Sequence, residues 1–332
     1  MLTRSQLLLL STLSYCVHRT HFKRRNLTIG ELAQDVIQEI EQGTVPKNPV
    51  KTTKREWQQA LKLIIDDKKL SKYHVTRLHY HNGLLCFVAK DRMVLPRDVN
   101  LVFRGTATLQ DWDDNAVCTY VADSPLQLAA YRYLKSLPLR YGNQLTCTGH
   151  SKGGNHAAYL AIRSGRVDRA ICFDAEGFSP EFLDKYKPQI EQDRYIRPRG
   201  IVNVSAAQDI VHALLSQPRK TRQVYIDVPK QPSPLLYHKP TALIDLETGQ
   251  FHPTIIKDRV PSKIISQFYV KAPEKLTLEQ RKKLASAMTD IIKDQFVKAV
   301  AKHQANPNKI DEKTTKKTQK TPKIQKNTTK IA

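Results

Sequence analysis

A serine flanked by glycines stands between a predicted strand and a predicted helix near the middle of the chain. The pentapeptide Gly149–Gly153, with the sequence G-H-S-K-G, follows the β-rich run Leu145–Thr148 and precedes the small, apolar segment Ala157–Ile162. A sharp strand-to-helix turn lifts the hydroxyl of such a serine out of the backbone, and the helix N-terminus lies directly behind it. The glycines allow neighbouring backbone to approach where a Cβ would clash. The segment therefore predicts that Ser151 is the nucleophile of a serine hydrolase.

A nucleophilic serine needs a base to accept its proton and a carboxylate to orient that base. After a turn of this kind the acid and then the histidine follow the serine along the chain, each at or beyond the end of a strand. The downstream residues of the right type are Asp174, Glu176, Asp209, Asp227, Asp245, His212, His238, His252 and His303. His238 lies in a proline-rich loop suited to presenting an imidazole, whereas His212 is placed one helical turn after Asp209. Asp209 follows a predicted strand but is equally suited to cap the next helix. Asp174 is the alternative candidate for the acid.

Short apolar segments alternate with helical ones along the first three quarters of the chain. This alternation predicts an α/β fold with a mostly parallel central sheet and helices on both faces. The predicted strands are 74–78, 84–90, 100–103, 144–148, 170–174, 200–205, 223–228 and 241–245. The predicted helices are 2–17, 29–42, 54–70, 126–137, 152–164, 178–187, 210–216 and 275–303.

A chain of 332 residues can bury one large α/β core and carry a small appendage. We predict a hydrolase domain over residues 1–272, a polar C-terminal helix over 273–304 and a tail over 305–332. The tail is rich in Lys and Thr and has almost nothing to bury, which is typical of disorder.

The net charge of +23 arises from 54 basic against 31 acidic residues. Such an excess favours anionic partners, and we expect peripheral contact with an anionic membrane through the basic surface and the tail. Aromatic residues make up 7% of the chain without an interleaved aromatic and basic patch, which argues against specific recognition of nucleic acid. The sequence does not indicate which oligomeric state the protein adopts.

The five cysteines are an odd number, and neither a CxxC motif nor a Cys/His ligand spacing is present. We therefore expect no metal and no cofactor, and we read His79 and His81 as flanking a hairpin turn. The apolar run Leu7–Leu10 is too short to span a bilayer and lacks the cleavage site of a signal peptide, so it predicts a buried first helix. The expected location is the cytoplasm, or export by a route without a Sec-type signal.

Three motifs together resemble one family. They are Val102–Thr106 (VFRGT), Asp111-Trp112 and Thr148–Asn155 (TGHSKGGN). They resemble the lipase class 3 group, in particular its Mbeg1-like branch, which has a lysine after the nucleophile, as Lys152 here. The similarity extends over roughly residues 2–253 and implies the α/β-hydrolase fold.

Carried over by position, the resemblance implies a triad of Ser151, Asp209 and His238. It also implies an oxyanion hole formed by the backbone N–H of Lys152 and by Thr106. The expected activity is hydrolysis of lipid esters of the phospholipase A or lipase type through an acyl-enzyme. The alternatives are a serine esterase or thioesterase acting on a non-lipid substrate, and a catalytically idle basic module that binds membrane or RNA.

Overall fold

The computed structural model describes residues 1–24, 26–44, 46, 52–81, 83–107, 109–139, 141, 145–191 and 200–260, with 277–280, 282–283 and 286. The predicted tail over 305–332 and most of the predicted helix over 273–304 lie outside the described residues. The proposed division into domains therefore stays a prediction.

Eight strands form one sheet in which the spatial order is the order along the chain. Their bounds are β1 His74–His81, β2 Leu84–Lys90, β3 Val99–Phe103, β4 Leu145–His150, β5 Arg169–Phe173, β6 Ile201–Ala206, β7 Arg222–Ile226 and β8 Thr254–Ile255. Strands β3 to β7 are parallel, while β1, β2 and β8 pair antiparallel. The carboxyl ends of the parallel strands therefore share one edge, where ligands bind in open α/β sheets.

Helices cover both faces of this sheet. Right-handed crossovers between parallel strands placed in chain order fall on one face, and that face carries α5, α6, α7 and α8. The opposite face is covered by the N-terminal helices α1, α2 and α3. The helix bounds are α1 Arg4–Leu13, α2 Ile29–Glu41, α3 Lys54–Asp66, α4 Leu109–Val117, α5 Pro125–Ser136, α6 Lys152–Arg163, α7 Pro180–Lys185 and α8 Lys187–Glu191. This architecture confirms the predicted α/β-hydrolase fold.

The alternation of side chains along each strand divides the core into two layers. In β3, Leu101 packs with Leu134 and Leu160 on the crossover face. Its neighbour Val102 points to the other face and packs with Leu8 and Trp57. The apolar run predicted as a buried first helix is thus the layer that covers this second face. No helix in the described part of the chain is long and apolar enough to cross a bilayer.

Capping boxes set the start of several helices. Thr28 and Thr53 each accept the backbone N–H of a glutamate three residues later, and that glutamate accepts the N–H of the threonine in return. Ser124 and Gln127 make the same reciprocal pair before α5. These signals explain why the predicted starts of α2 and α3 agree with the structure.

Two predicted elements are wrong. Residues 210–216 form turns and not a helix. Asp209 caps the first turn, but Leu215 has a positive φ of 61° and Ser216 pairs with Phe178 in a single bridge, so the helix does not continue. Residues 241–245 also form turns, with Ile244 in a single bridge to Phe251. The edge strand is Thr254–Ile255, which pairs with β7.

Candidate active site

Ser151 lies in the turn between β4 and α6, at the edge formed by the carboxyl ends of the parallel strands. Its backbone has φ 56° and ψ −129°, a conformation that a serine adopts only under strain. The turn is held by the N–H of Ser151, which donates to the carbonyl of Phe173 at 2.8 Å. The strain and the half-buried side chain are the features of a serine lifted out for chemistry.

The glycines of the motif permit this turn through close packing. A Cβ on Gly149 would lie 2.3 Å from the carbonyl carbon of Gly153, and one on Gly153 would lie 2.4 Å from the carbonyl oxygen of Phe103. Both distances are far inside van der Waals contact. The end of β3 therefore lies directly against the turn that carries Ser151.

The structure brings Asp209 and His238 together. Nδ1 of His238 lies 3.1 Å from Oδ1 of Asp209, and both side chains are buried. Asp209 follows β6, and His238 ends a single 3-10 turn, Pro234–His238, beyond β7. An imidazole held in this way has a fixed orientation and a partner for its positive charge.

The Asp209 carboxyl is stabilised in its charged form. Burial alone would raise its pKa, but His238 and His212 beside it outweigh burial and hold the pKa well below its usual range. The backbone N–H groups of Val211 and His212 also donate to its two oxygens, at 3.2 and 2.9 Å. Asp209 thus makes the turn contacts expected of a cap and also faces the histidine.

His212 is buried against the same carboxylate, which the sequence did not indicate. Its Nδ1 lies 3.6 Å from Oδ2 of Asp209, on the oxygen that His238 does not face. It lies in a turn, not on the face of a helix as predicted.

Asp174, the alternative candidate for the acid, faces His150 and not His238. Its Oδ2 lies 3.6 Å from Nε2 of His150, and its Oδ1 accepts the N–H of Ala206 at 2.8 Å. Burial and the nearby charge of Asp209 raise the pKa of Asp174 well above its usual value. The surroundings thus favour the protonated form of Asp174 and the charged form of Asp209, which favours Asp209 as the partner of the histidine.

His150, the partner of Asp174, also contacts His238 and Tyr15. Its ring centroid lies 4.8 Å from that of His238, and its Nδ1 lies 2.8 Å from the hydroxyl of Tyr15, which follows α1. Burial and the neighbouring His238 lower the pKa of His150 well below its usual value, so the ring is neutral. His150 directly precedes Ser151, so the ring of His238 packs against the residue next to the serine.

The side chain of Lys152 points into the protein. It is 2% exposed, and its Nζ lies 3.1 Å from Oδ2 of Asp114, 3.8 Å from Oε1 of Glu176 and 2.6 Å from Sγ of Cys118. Burial alone would lower the pKa of Lys152, but the contacts with these three groups raise it above its usual value. Lys152 is thus a buried cation that ties the start of α6 to α4 and to the segment after β5.

Lys152 nonetheless offers its backbone to the site. As the first residue of α6, it has an N–H without an acceptor inside the helix. This donor points from the helix N-terminus beside Ser151, where negative charge is favoured.

Thr106 follows β3 and is buried beside the same turn. Its Oγ1 accepts a hydrogen bond of 2.9 Å from the side-chain amide of Asn115 on α4. Because the amide donates, the hydroxyl of Thr106 keeps its own proton for another acceptor. Asn115 was not singled out in the sequence, since nothing in its local pattern indicates this contact.

Two groups of side chains have metal-ligand spacing in the described residues. In the first, ligand atoms of His150, Asp174 and His238 lie within 4.8 Å of one another, and Nδ1 of His238 also faces Asp209. In the second, His18 and His21 face Glu39. Nδ1 of His21 accepts the N–H of His18, so its ring proton lies on Nε2, the atom that faces Glu39.

Comparison with known proteins assigns the family. The Mbeg1-like family model matches residues 69–290, which is more than half of the chain. The chain belongs to the Mbeg1-like family. The match contains Thr106, Ser151, Asp209 and His238, and it begins after α3, so it is shorter at the N-terminus than the resemblance predicted from residue 2. The predicted membership of this family is confirmed.

Solved structures of lipases are similar to this Mbeg1-like chain at low identity. A fungal lipase in complex with an inhibitor is 12% identical, with a TM-score of 0.38 over 68% of this chain and 79% of that chain. The Rhizomucor miehei lipase–propeptide complex is 13% identical, with a TM-score of 0.38 over 72% of this chain and 76% of that chain. The LIP2 lipase of Yarrowia lipolytica is 14% identical, with a TM-score of 0.41 over 70% of this chain and 82% of that chain. No curated protein sequence matches the chain.

Proposed function

We propose that this protein is a serine hydrolase that cleaves carboxylic esters of lipids through a covalent acyl-enzyme. Ser151 is the nucleophile, His238 the general base and Asp209 the acid that orients it. The observation that carries the proposal is the strained turn at Ser151 beside a buried His238–Asp209 pair, 3.1 Å apart. Packing alone does not require a strained serine, or a buried carboxylate such as Asp209 that orients a histidine.

The reaction follows from this arrangement in two stages. His238 takes the proton of the Ser151 hydroxyl as its oxygen attacks the ester carbonyl, and the imidazolium is stabilised by Asp209. The proton passes to the leaving alcohol as the ester C–O bond breaks, which leaves an acyl group on Ser151. Water then attacks this acyl group, its proton is taken by His238, and the carboxylic acid leaves as Ser151 recovers its proton.

Negative charge forms on the carbonyl oxygen in both stages. The backbone N–H of Lys152 and the hydroxyl of Thr106 are the donors we propose for it. Preorganised donors of this kind stabilise the transition state because they need no rearrangement when the charge develops. Asn115 supports this role by fixing the Thr106 hydroxyl.

A lipid substrate is supported by charge and by apolar surface near the site. The net charge of +23 attracts anionic bilayers, which favours a phospholipid over a neutral fat. Leu235, three residues before His238, is 42% exposed and offers apolar contact to an acyl chain. The lipases among the similar structures agree with this class of substrate, and a phospholipase A type of cleavage is the form we propose.

Product analysis by mass spectrometry tests this function. The wild type and Ser151→Ala are incubated with vesicles of mixed phospholipid and triacylglycerol, with Ser136→Ala as a matched control because Ser136 is exposed at the end of α5. We expect free fatty acid and lysolipid from the wild type and the control only. Ester cleavage confined to short, soluble esters would refute the lipid substrate, and equal release by Ser151→Ala would refute the nucleophile.

A further inference from the structure

The loop that joins β2 to β3, Asp91–Asp98, is closed by its own residues. The N–H of Asp91 donates to the carbonyl of Asp98 at 3.1 Å, and Oδ1 of Asp91 accepts the N–H groups of Arg97 and Asp98 at 2.9 and 3.1 Å. Nζ of Lys90 donates to the carbonyl of Met93 at 2.9 Å. These contacts fix both ends of the loop, so its tip is held in place.

The tip presents apolar side chains to solvent. Val94 and Leu95 are each 76% exposed, and Met93 before them is 36% exposed. Leu95 also has a positive φ of 48°, which a leucine adopts only under strain. Adjacent large apolar residues held out in this way, on a loop rimmed by Arg92 and Arg97, are typical of a binding surface.

A basic pocket lies beside this loop. It has a volume of about 530 Å³ and is lined by Lys68, Lys69, Lys72 and Arg97, with Tyr73, Asp91, Asp98 and Met1. Its acidic members are already engaged, since Asp98 accepts the Tyr73 hydroxyl at 2.7 Å and Asp91 holds the loop. Within the described part of the chain, no carboxylate forms an ion pair with Lys68, Lys72 or Arg97. The pocket therefore offers exposed cations to an anion of phosphate-ester chemistry.

This surface lies at the edge of the sheet remote from Ser151. The loop enters β3 at its amino end, and β3 runs parallel to β4, which carries Ser151 at its carboxyl end. More positive charge faces this edge, where Arg4 at the start of α1 lies near Arg222 at the start of β7. A bilayer bound here would lie away from the edge that carries Ser151, so this surface would hold the protein at a membrane and leave that edge open to lipid from elsewhere.

We propose that the pocket of Lys68, Lys69, Lys72 and Arg97, with the loop tip Met93–Leu95, is a docking surface for bilayers that contain anionic phospholipid. The cations bind the phosphate of a lipid headgroup, while Val94 and Leu95 enter the acyl region beside it. Nucleic acid would satisfy the cations but offers no apolar phase for these two side chains. Insertion of apolar side chains next to basic residues is the general mode of peripheral membrane binding.

Vesicle flotation with the full chain tests the surface. The wild type is compared with Val94→Ser/Leu95→Ser and with Lys68→Gln/Lys72→Gln/Arg97→Gln, on vesicles of phosphatidylcholine alone and with phosphatidylserine. Two controls remove groups of the same kind elsewhere on the surface. Ile256→Ser is the control for the apolar variant, because Ile256 is 93% exposed. Arg219→Gln/Lys230→Gln/Lys257→Gln is the control for the charge variant, because these three cations are exposed.

Each site variant should bind phosphatidylserine vesicles at least about tenfold more weakly than its control, from the general strength of lysine and arginine contacts with anionic lipid and of buried apolar groups. Equal binding by site and control variants would overturn the proposal. Loss with the charge variant but not with the apolar one would also overturn it, because insertion would then be absent. Weaker binding to RNA with unchanged binding to vesicles would assign the surface to another partner.

A second measurement reports insertion directly. All five native cysteines are buried, so Val94→Cys provides one exposed thiol for an environment-sensitive fluorophore. The emission should shift to the blue on phosphatidylserine vesicles, and an unchanged spectrum on vesicles that bind the protein would contradict insertion. Ser151→Ala should bind vesicles like the wild type. The variants of the docking surface should hydrolyse a soluble ester at the wild-type rate. Failure of the docking surface is thereby distinguishable from failure of the proposed hydrolase.

Discussion

Removing the buried charge of Lys152 should destabilise the protein in a pH-dependent way. Lys152→Met keeps the length and much of the packing of the side chain and leaves the backbone N–H in place. It removes the cation from Asp114 at 3.1 Å and from Glu176 at 3.8 Å. The substitution thus separates the side chain of this residue from its proposed role in the oxyanion hole.

The magnitude follows from the burial of the cluster. Lys152 is 2% exposed and Asp114 is 6% exposed, so the remaining carboxylate cannot be rehydrated without opening the structure. Breaking a buried ion pair by removing one partner costs about 3–5 kcal/mol of unfolding free energy. A surface lysine gives the scale for comparison, because its loss changes stability by about 0.5 kcal/mol or less.

The sign of the pH dependence is set by the carboxyl groups left behind. In the wild type, burial alone would raise the pKa of Asp114, but Lys152, with His156 and the hydrogen bonds from Leu126 and Ser124, outweighs burial and the pKa is lowered. These contacts therefore stabilise the fold above the unfolded pKa, and this contribution is lost as the pH falls. In the variant the burial remains without the cation, so the pKa of Asp114 rises. Burial already raises the pKa of Glu176. The folded variant then binds more protons than the unfolded chain, and its stability falls as the pH rises.

Urea denaturation at pH 5, 6.5 and 8 measures this effect, with Lys62→Met, at an exposed position on α3, as the matched control. The deficit of Lys152→Met should be smallest at pH 5 and largest at pH 8. A deficit below about 1 kcal/mol, or one that is the same at all three pH values, would refute a charged lysine in this cluster. Ester hydrolysis per folded molecule should survive, since the donor N–H is unchanged.

The remaining predictions concern turnover of a soluble ester such as p-nitrophenyl butyrate. Asp209→Asn should lower kcat by about 10⁴-fold because the histidine loses its charged partner, whereas Asp174→Asn, at a carboxyl whose protonated form is favoured by burial, should cost less than about tenfold; the reverse order would exchange the two roles. Thr106→Val should lower kcat by about 10²–10³-fold if the hydroxyl is an oxyanion donor, and Thr106→Ser should recover most of it; a loss below threefold for valine would remove Thr106 from the site. Asn115→Leu should lower kcat but less than Thr106→Val, and an effect on KM alone would contradict its positioning of the hydroxyl.

Much of the fold could be predicted because its signals are local. Thr28 and Thr53 with their glutamates mark the starts of α2 and α3, and the apolar run at β4 followed by glycines marks the turn at Ser151. The failures have a different origin. Residues 210–216 look helical by their apolar spacing, but Leu215 has a positive φ of 61° and Ser216 pairs with Phe178, a contact between segments far apart in the chain.

The candidate site depends on local and non-local signals. Ser151 is marked by its neighbours in sequence, whereas position relative to the strands left several acids and histidines open, and the resemblance to the family singled out Asp209 and His238. The contacts that tune the site join residues far apart in the chain. Asn115 reaches Thr106, Tyr15 reaches His150, and Asp114 reaches Lys152, and each of these pairs exists only because the elements pack together.

Covalent labelling with a fluorophosphonate, located by peptide mass mapping, tests the central proposal most directly. We expect a single adduct on the peptide that contains Ser151, at a rate strongly reduced in His238→Gln and in Asp209→Asn. Ser136→Ala should label like the wild type and Ser151→Ala should not label. Labelling of Ser151→Ala at the wild-type rate, or a rate that does not change when His238 is replaced, would contradict a serine activated by this histidine.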